Sequence, residues 1–482
     1  MWGHTVLKES VRGVVKKLSY SVSANFLNLL ISVFVSFIVP KVLDVEQYGY
    51  WQLYIFYVGY VGFFHFGVAD GIYLRYGGEF YDELDKPLMS SQIWILSILE
   101  FLVFLGFFMF ALLVIKDESK KFIIIITGLN CIIMLPRTLL QYILQTTGRI
   151  QEYARNFMLE RVIYIVLVLI FLVSGVRRFE YMLMADVGAK VIALIGVLIL
   201  CKDIVFSKLI TLSAGISEFW KNISSGSKLM FANVAGMLII GIVRFGIERN
   251  WDIATFGKVS FSLSISSFVL TFINAVSVVI FPIIKRSDQS RLPVVFETLG
   301  IVLSATTMVL LIAYYPMQKL LLLWLPHYEE AIRYFAILFP IVLFESRTSL
   351  LNNTYLKALR EEKMMLYLNV FAVGISLITT VVIVGLLNNL TLAIVSIVGL
   401  QMVKCILLEF YLQKKMGMKR SYDVYWSVAA TCVFIYGNWV KGGMLGWGIY
   451  VVFIVMMFLV KNQKYREQIK HVKNILGISE RQ

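Results

Sequence analysis

Apolar residues fill stretches of about 20 positions along the whole chain, separated by short polar connections. A helix rises 1.5 Å per residue, so each stretch matches the roughly 30 Å hydrocarbon core of a bilayer. Fourteen runs can be read, over 18–40, 49–74, 90–115, 122–147, 157–176, 180–201, 228–248, 258–284, 293–315, 331–356, 364–386, 389–412, 424–438 and 443–460, the thirteenth being short. This pattern predicts an all-α polytopic membrane protein. The longest polar connection runs from Lys202 to Gly226 and contains SEFWKNISSGSK, which predicts an interfacial helix followed by a flexible Ser/Gly turn. Dividing the chain there gives a six-helix lobe over 1–202, a linker over 203–227, a second six-helix lobe over 228–415, and two further helices with a basic tail over 416–482.

The two halves echo one another. Between Ala24–Gly49 and Ala232–Gly257, eight of 26 positions are identical at a constant shift of 208, including Ala-Asn and Asp-x-x-x-aromatic-Gly. A second echo joins PRTLLQYILQTTGR in the fourth run to SRTSLLNNTYLKALR in the tenth, with Arg137-Thr138 answering Arg347-Thr348. Six spans per repeat is an even number, so both copies insert the same way up. That predicts a pseudo-two-fold axis along the membrane normal.

Composition supports the membrane reading: 59% of the 482 residues are hydrophobic and 16% charged, with mean hydropathy +0.79, against about 25% charged in soluble domains. With the N-terminus inside, the cytoplasmic segments hold about 28 of the 45 Lys and Arg, and the outer loops about 11. Both termini are therefore expected in the cytoplasm, with an uncleaved first span and a basic tail, KNQKYREQIKHVKNILGISERQ. The net charge of +15 is read as topology and lipid-surface attraction. Basic residues spread over many short loops do not form a nucleic-acid patch. Cys131, Cys201, Cys405 and Cys432 all fall in apolar runs without metal or disulfide spacing, so they read as small packing residues. His65, inside the second run, reads as packed or polar-lining.

Candidate chemistry lies in polar stripes on apolar helices. Asn130, Arg137, Gln141 and Gln145 share one face of the fourth run. Ser21, Asn25, Asn28, Ser32 and Ser36 do so in the first, and Ser260, Ser264, Ser267, Thr271 and Asn274 in the eighth. Ser and Thr stripes also serve plain helix packing. Arginine differs, because a charge at mid-membrane costs roughly 3 kcal/mol and needs either a partner or water. Asp70, Asp186 and Glu345 are candidate partners for Arg137, and a cation-lined aqueous cavity is the other solution. Such a cavity suits an anion, and the paired N–H groups of arginine suit a diphosphate. Arg137, Arg347, Arg244, Gln141, Asn25 and Asn352 are the candidate substrate-binding residues, with Asp70 and Glu345 as candidates for ion coupling. The aromatic run YGYWQLYIFYVGYVGFFHFG suits sugar rings, a membrane-interface belt or ordinary packing. No catalytic residue, metal motif or cofactor site is read.

The segment VPKVLDVEQYGYWQLYIFYVGYVGFFHFGVADGIYLRYGG resembles the start of the bacterial polysaccharide-biosynthesis flippases, through Pro40, Asp44, Tyr48, Gly49, Phe66, Gly67 and Arg75. The Gln145, Gly148, Arg149 ending of the fourth run fits the same family. These motifs occupy about the first 150 residues. The resemblance implies a member of the multidrug/oligosaccharidyl-lipid/polysaccharide exporter superfamily, with two six-helix lobes around a cavity. It implies transport of a polyprenyl-diphosphate-linked oligosaccharide across the cytoplasmic membrane, by alternating access, for O-antigen or capsule. The partners it implies are that lipid-linked glycan, membrane lipids, and a polysaccharide polymerase and chain-length regulator. A cation-coupled multidrug antiporter of the same fold is the alternative, weakened by the absence of any acid in 18–40. A membrane polymerase or ligase is a remote third reading. The short outer loops near 116–121, 249–257 and 316–330 show no convergent acid–His–Arg cluster in sequence, and no nucleophile or phosphate-loop motif occurs.

Overall fold

The computed structural model describes residues 11–286, 292–418 and 423–461, with the side chains of 11–26 and of most residues from 269 to 286 outside that description. Every element among the described residues is a helix or a turn. The chain forms two compact units, Met1–Val234 and Ala235–Gln482.

The first unit contains α1 (Val11–Val42), α2 (Val45–Val58), α3 (Val68–Arg75), α4 (Lys86–Val114), α5 (Glu118–Thr146), α6 (Ile150–Val173), α7 (Phe179–Leu200), the short α8 (Lys202–Val205) and the start of α9 (Leu212–Asn250). The second holds the rest of α9, α10 (Ile253–Arg286), α11 (Leu292–Leu310), α12 (Tyr314–Trp324), α13 (Glu329–Leu338), α14 (Ile341–Ser346), α15 (Asn353–Ala358), α16 (Glu362–Thr380), α17 (Leu390–Lys415), α18 (Asp423–Ile435) and α19 (Gly443–Val460). Each of the fourteen apolar runs falls on a helix or a bent helix pair. Among the described residues nine helices are long and apolar enough to cross a membrane, and eleven if each bent pair counts as one span.

Helix starts follow short-range chemistry. Asp44 caps α2 by accepting from the Gln47 amide at 2.8 Å, and Asp252 caps α10 by accepting from the Thr255 amide at 2.7 Å. These are the matched aspartates of the repeat, and α2 and α10 begin at Val45 and Ile253, the same 208 residues apart. The aromatics four positions beyond each cap, Tyr48 and Phe256, are both buried. The echo in sequence is thus an echo of local structure.

In the first unit, α5 packs against α4 and α7, and α6 against α7 and α1. The α2–α3 pair bends by 59°, at Phe66 and Gly67, which both have positive φ. Gly67 and Gly71 then let α9 cross at backbone contact. A Cβ on Gly71 would lie 2.0 Å from the Asn222 carbonyl oxygen, and one on Gly226 would lie 2.1 Å from that of Gly67. Here the structure corrects the sequence expectation of a flexible turn at SSGSK: α9 runs unbroken from Leu212 to Asn250. Ser225 satisfies its hydroxyl on the Lys221 carbonyl one turn back, and Gly226 serves the close crossing. Arg75 fastens the same contact, reaching Glu218 and Asn222 at 2.5 Å each.

In the second unit, α17 packs against α13, α14 and α16, and α18 against α11 and α19. Three stretches within it, Arg347–Asn352, Val381–Leu386 and Tyr436–Lys441, are wound as π-helix. The N-terminal and C-terminal segments on which the orientation argument partly rests, 1–10 and 462–482, lie outside the described residues.

Candidate functional site: buried polar clusters

The polar stripe of α5 resolves into two clusters. Asp117 caps the helix by accepting from the Lys120 amide at 3.0 Å, and Gly148 (φ 80°) follows its end. Between these points Pro136 has no N–H to give the helix ladder, and Arg137 follows it. Arg137 is 5% exposed. Its Nη1 pairs with Glu160 on α6 at 2.5 Å, and its Nε donates to Asn156 at 3.3 Å. Gln141, one turn further, donates to the same Asn156 oxygen at 3.0 Å, and Asn156 donates to the Ala193 carbonyl of α7 at 2.7 Å. The partner of Arg137 is therefore Glu160, not Asp70, Asp186 or Glu345. The Arg137 Nη2 has no hydrogen-bond acceptor among the described residues.

Seven residues back along α5, about 10 Å away, Asn130 anchors the second cluster. It donates to the Tyr54 hydroxyl at 3.0 Å, and Tyr54 donates to Asp186 at 2.5 Å. Lys190 bridges Asp186 at 2.6 Å and the Asn130 oxygen at 2.9 Å. Tyr48, Trp51, Tyr54 and Phe56 of the aromatic run are all buried, which is the packing role weighed for them above. His65 accepts from the Gly67 amide at 2.9 Å, and its Nε2 stands 3.7 Å from Asp70.

In the second unit Arg347 opens a π-helical turn, a winding that often marks functional positions. It is 1% exposed and gripped on all sides. Its Nη2 and Nε reach the two oxygens of Glu409 on α17 at 2.5 and 3.2 Å, while Nη1 donates to the Gly300 carbonyl at 2.9 Å and to Ser304. Asn352, at the end of the same turn, is buried, and its Oδ1 is unpartnered among the described residues. Arg244 donates to Ser260 at 2.9 Å and lies over the Phe256 ring. Glu345 is half-buried, seven residues and about two turns before Asn352. Asn25 lies on α1, with its side chain outside the described residues, as does that of Asn274.

Two buried charges stand out that the stripes did not single out. Lys404 on α17 is 6% exposed with no carboxylate within ion-pair distance among the described residues. Its ammonium and the Asn369 amide both approach the bare backbone of Gly236. One turn away, neither polar side-chain atom of the fully buried Gln401 has a hydrogen-bond partner among the described residues. Glu100 on α4 is fully buried, and neither carboxylate oxygen finds a partner among the described residues. The sequence carried a signal for each: Glu100 is the lone charge between Lys86 and Lys116, and Lys404 interrupts the apolar run of 389–412. Of the cysteines, Cys131, Cys201 and Cys405 are buried and Cys432 is exposed.

A second arrangement was invisible in linear sequence. Lys258, His327, Glu329, Glu330, Arg333 and Lys441, from four separate elements, surround one cavity at the loop end of the second unit. Acidic, basic and histidine side chains do converge at this end, because folding brings 258, 327–333 and 441 together.

The fold and these clusters define a polytopic α-helical membrane protein, built of two helical units with ionisable groups buried in each. No protein-family model matches the chain, and no curated protein matches it in sequence. Among solved structures the chain is similar to "Lipid II flippase MurJ, inward closed conformation", with a TM-score of 0.69 at 12% identity over 94% of this chain and 100% of that one. It is also similar to the "inward-facing conformation of a multidrug resistance MATE family transporter of the MOP superfamily", with a TM-score of 0.59 at 14% identity over 82% of this chain and 94% of that one. At such identities the likeness is one of fold. The all-α architecture in two units expected from the sequence is found among the described residues.

Proposed function

We propose that this chain is a flippase that moves a polyprenyl-diphosphate-linked oligosaccharide across the bacterial cytoplasmic membrane by alternating access, for export of a surface polysaccharide such as O-antigen or capsule. Both termini are cytoplasmic in this reading, and the polymerase and chain-length regulator act on the delivered glycan. The observation that carries it is cationic hydrogen-bonding capacity left open at membrane depth. Lys404 has no carboxylate partner among the described residues, and Arg137 keeps one N–H group unclaimed. An anionic headgroup supplies an acceptor to either cation, and a charge-assisted bond contributes about 1.5–3 kcal/mol. Arg347, with its guanidinium shared among Glu409, Gly300 and Ser304, serves in this reading to hold the second unit together. The fold shared with a lipid II flippase supports a lipid-linked cargo.

The fully buried Glu100, with no hydrogen-bond partner among the described residues, favours a second reading, a cation-coupled multidrug antiporter, whose fold is also shared. Purified protein in liposomes separates the two. Translocation is read as the loss of a lipid-linked glycan from reach of an impermeant glycosidase, without formation of a glycosidic bond. Lys404→Gln should cut the rate at least tenfold. Absence of glycan translocation together with gradient-driven export of cationic drugs would replace the flippase reading with the antiporter; glycan bond formation would replace it with the polymerase or ligase.

A further inference from the structure

The cavity at the loop end of the second unit has a volume of 690 Å³, within the range of about 300–1,000 Å³ typical of small-molecule sites. Its wall is built from the first turn-and-a-half of α10, from α12, from the segment between α12 and α13, from the start of α13, and from the π-helical turn Tyr436–Lys441. In the flippase reading, with both termini in the cytoplasm, this end faces outward.

Its charges are not equivalent. Lys258 is neutralised by Glu330 at 2.5 Å, and Glu330 also accepts from the Tyr334 hydroxyl at 2.6 Å. Arg333, by contrast, has no carboxylate partner among the described residues. Its guanidinium lies 4.7 Å from the centre of the Trp439 ring, and that indole is stacked in turn against Tyr334. Cation–π contact fixes the plane of the guanidinium and leaves its edge free to donate. Lys441 is exposed, and its ammonium lies near the Tyr436 ring. Tyr314 lines the cavity, is 1% exposed, and has a hydroxyl with no hydrogen-bond partner among the described residues. A buried, unsatisfied hydroxyl beside a cavity calls for a polar group within it.

We propose that this cavity binds an acidic sugar, a uronate residue, whose carboxylate is taken by Arg333 and Lys441 and whose hydroxyls meet Glu329 and Tyr314. The ligand chemistry follows from the mixture of groups. Two cations with no carboxylate partner among the described residues ask for an anion. Glu329 and Glu330 in the same wall repel a densely charged phosphate, yet accept bonds from sugar hydroxyls. This inference rests on the flippase reading, adding that the carrier touches its glycan where the cargo emerges, and that the glycan contains uronate.

The test is equilibrium binding to the purified full-length protein, by saturation-transfer NMR and calorimetry, with methyl β-glucuronide, methyl β-glucoside and inorganic phosphate as probes. The glucuronide should bind saturably and at least tenfold more tightly than either other probe. Arg333→Ala should weaken it at least tenfold, Arg333→Lys should retain part of the affinity, and Lys441→Ala, at an exposed position, should weaken it severalfold with the fold intact. No saturable glucuronide binding would overturn the proposal, as would equal binding of the glucoside or of phosphate, or indifference to both Arg333→Ala and Lys441→Ala. Liposome translocation keeps the two proposals apart. Absent glucuronide binding with intact glycan translocation ends the cavity proposal alone, whereas glucuronide binding without any translocation ends the flippase reading and leaves a saccharide site.

Discussion

Arg137 and Glu160 are 2.5 Å apart and each about 5% exposed, so the energetic consequence of removing one of them can be worked out. At that distance the gross attraction is about 7 kcal/mol at an effective dielectric constant of 20. Desolvating the two ions costs several kcal/mol each, which leaves the intact pair with a small net contribution. Arg137→Ala is far more costly than that net value, because it strands the Glu160 carboxylate; a loss of about 3–5 kcal/mol follows. Replacing both residues by apolar ones of similar size, Arg137→Met with Glu160→Leu, removes the stranded charge and should restore the melting temperature in detergent to wild type or above. Transport then reports on the second role. If the open Nη2 binds a headgroup, the stable double variant should translocate glycan at least tenfold more slowly, from the loss of about 1.5–3 kcal/mol. A stable double variant with wild-type rate would remove Arg137 from the substrate path. The energetic reasoning itself would be refuted by a single variant that melts with the wild type, or by a double variant as unstable as the single.

Three further outcomes follow from particular contacts. Glu100→Gln keeps shape and removes a buried carboxyl that has no hydrogen-bond partner among the described residues, so the protein should be at least as stable, and any stimulation of transport by an imposed proton gradient should vanish; unchanged gradient dependence would exclude Glu100 from coupling. Gly226→Ala places a Cβ against the Gly67 carbonyl oxygen and should lower both the yield of folded protein and its melting temperature, whereas Gly374→Ala, with open space around it, should not. Asp252→Ala should cost about 1 kcal/mol through loss of the α10 cap. The Thr255 amide holds the Asp252 carboxyl below its ordinary value of 3.8, so the capping contribution is complete at neutral pH and fades as pH falls below that value; a difference between wild type and variant that persists unchanged to the most acid conditions would contradict this.

Much of this protein is legible in one dimension because its solvent is a bilayer. Backbone groups in hydrocarbon must bond within their own segment, so a run of about 20 apolar residues is bound to be a helix, and all fourteen runs lie on helices. Helix starts are equally local: the matched Asp44 and Asp252 of the repeat cap α2 and α10 through amides three residues on. The polar stripe of α5 was also readable, since helical spacing alone puts Asn130, Arg137 and Gln141 on one face. What each side chain meets across that face was not. The acid that satisfies Arg137 lies 23 residues away on α6, that of Arg347 lies on α17, and the close approach that gives Gly226 its role is made by Gly67 and Gly71, more than 150 residues earlier. Partner choice depends on which helices touch and at what rotation, and an apolar pattern leaves both free. For the same reason Lys404 and Glu100 appeared in sequence as interruptions of apolar runs, while only the packed structure leaves Lys404 without a carboxylate and Glu100 without a hydrogen-bond partner among the described residues. The loop-end cavity was hidden most completely, because Lys258, Arg333 and Lys441 lie on separate elements and become neighbours only when α10, α13 and the π-helical turn before α19 pack together.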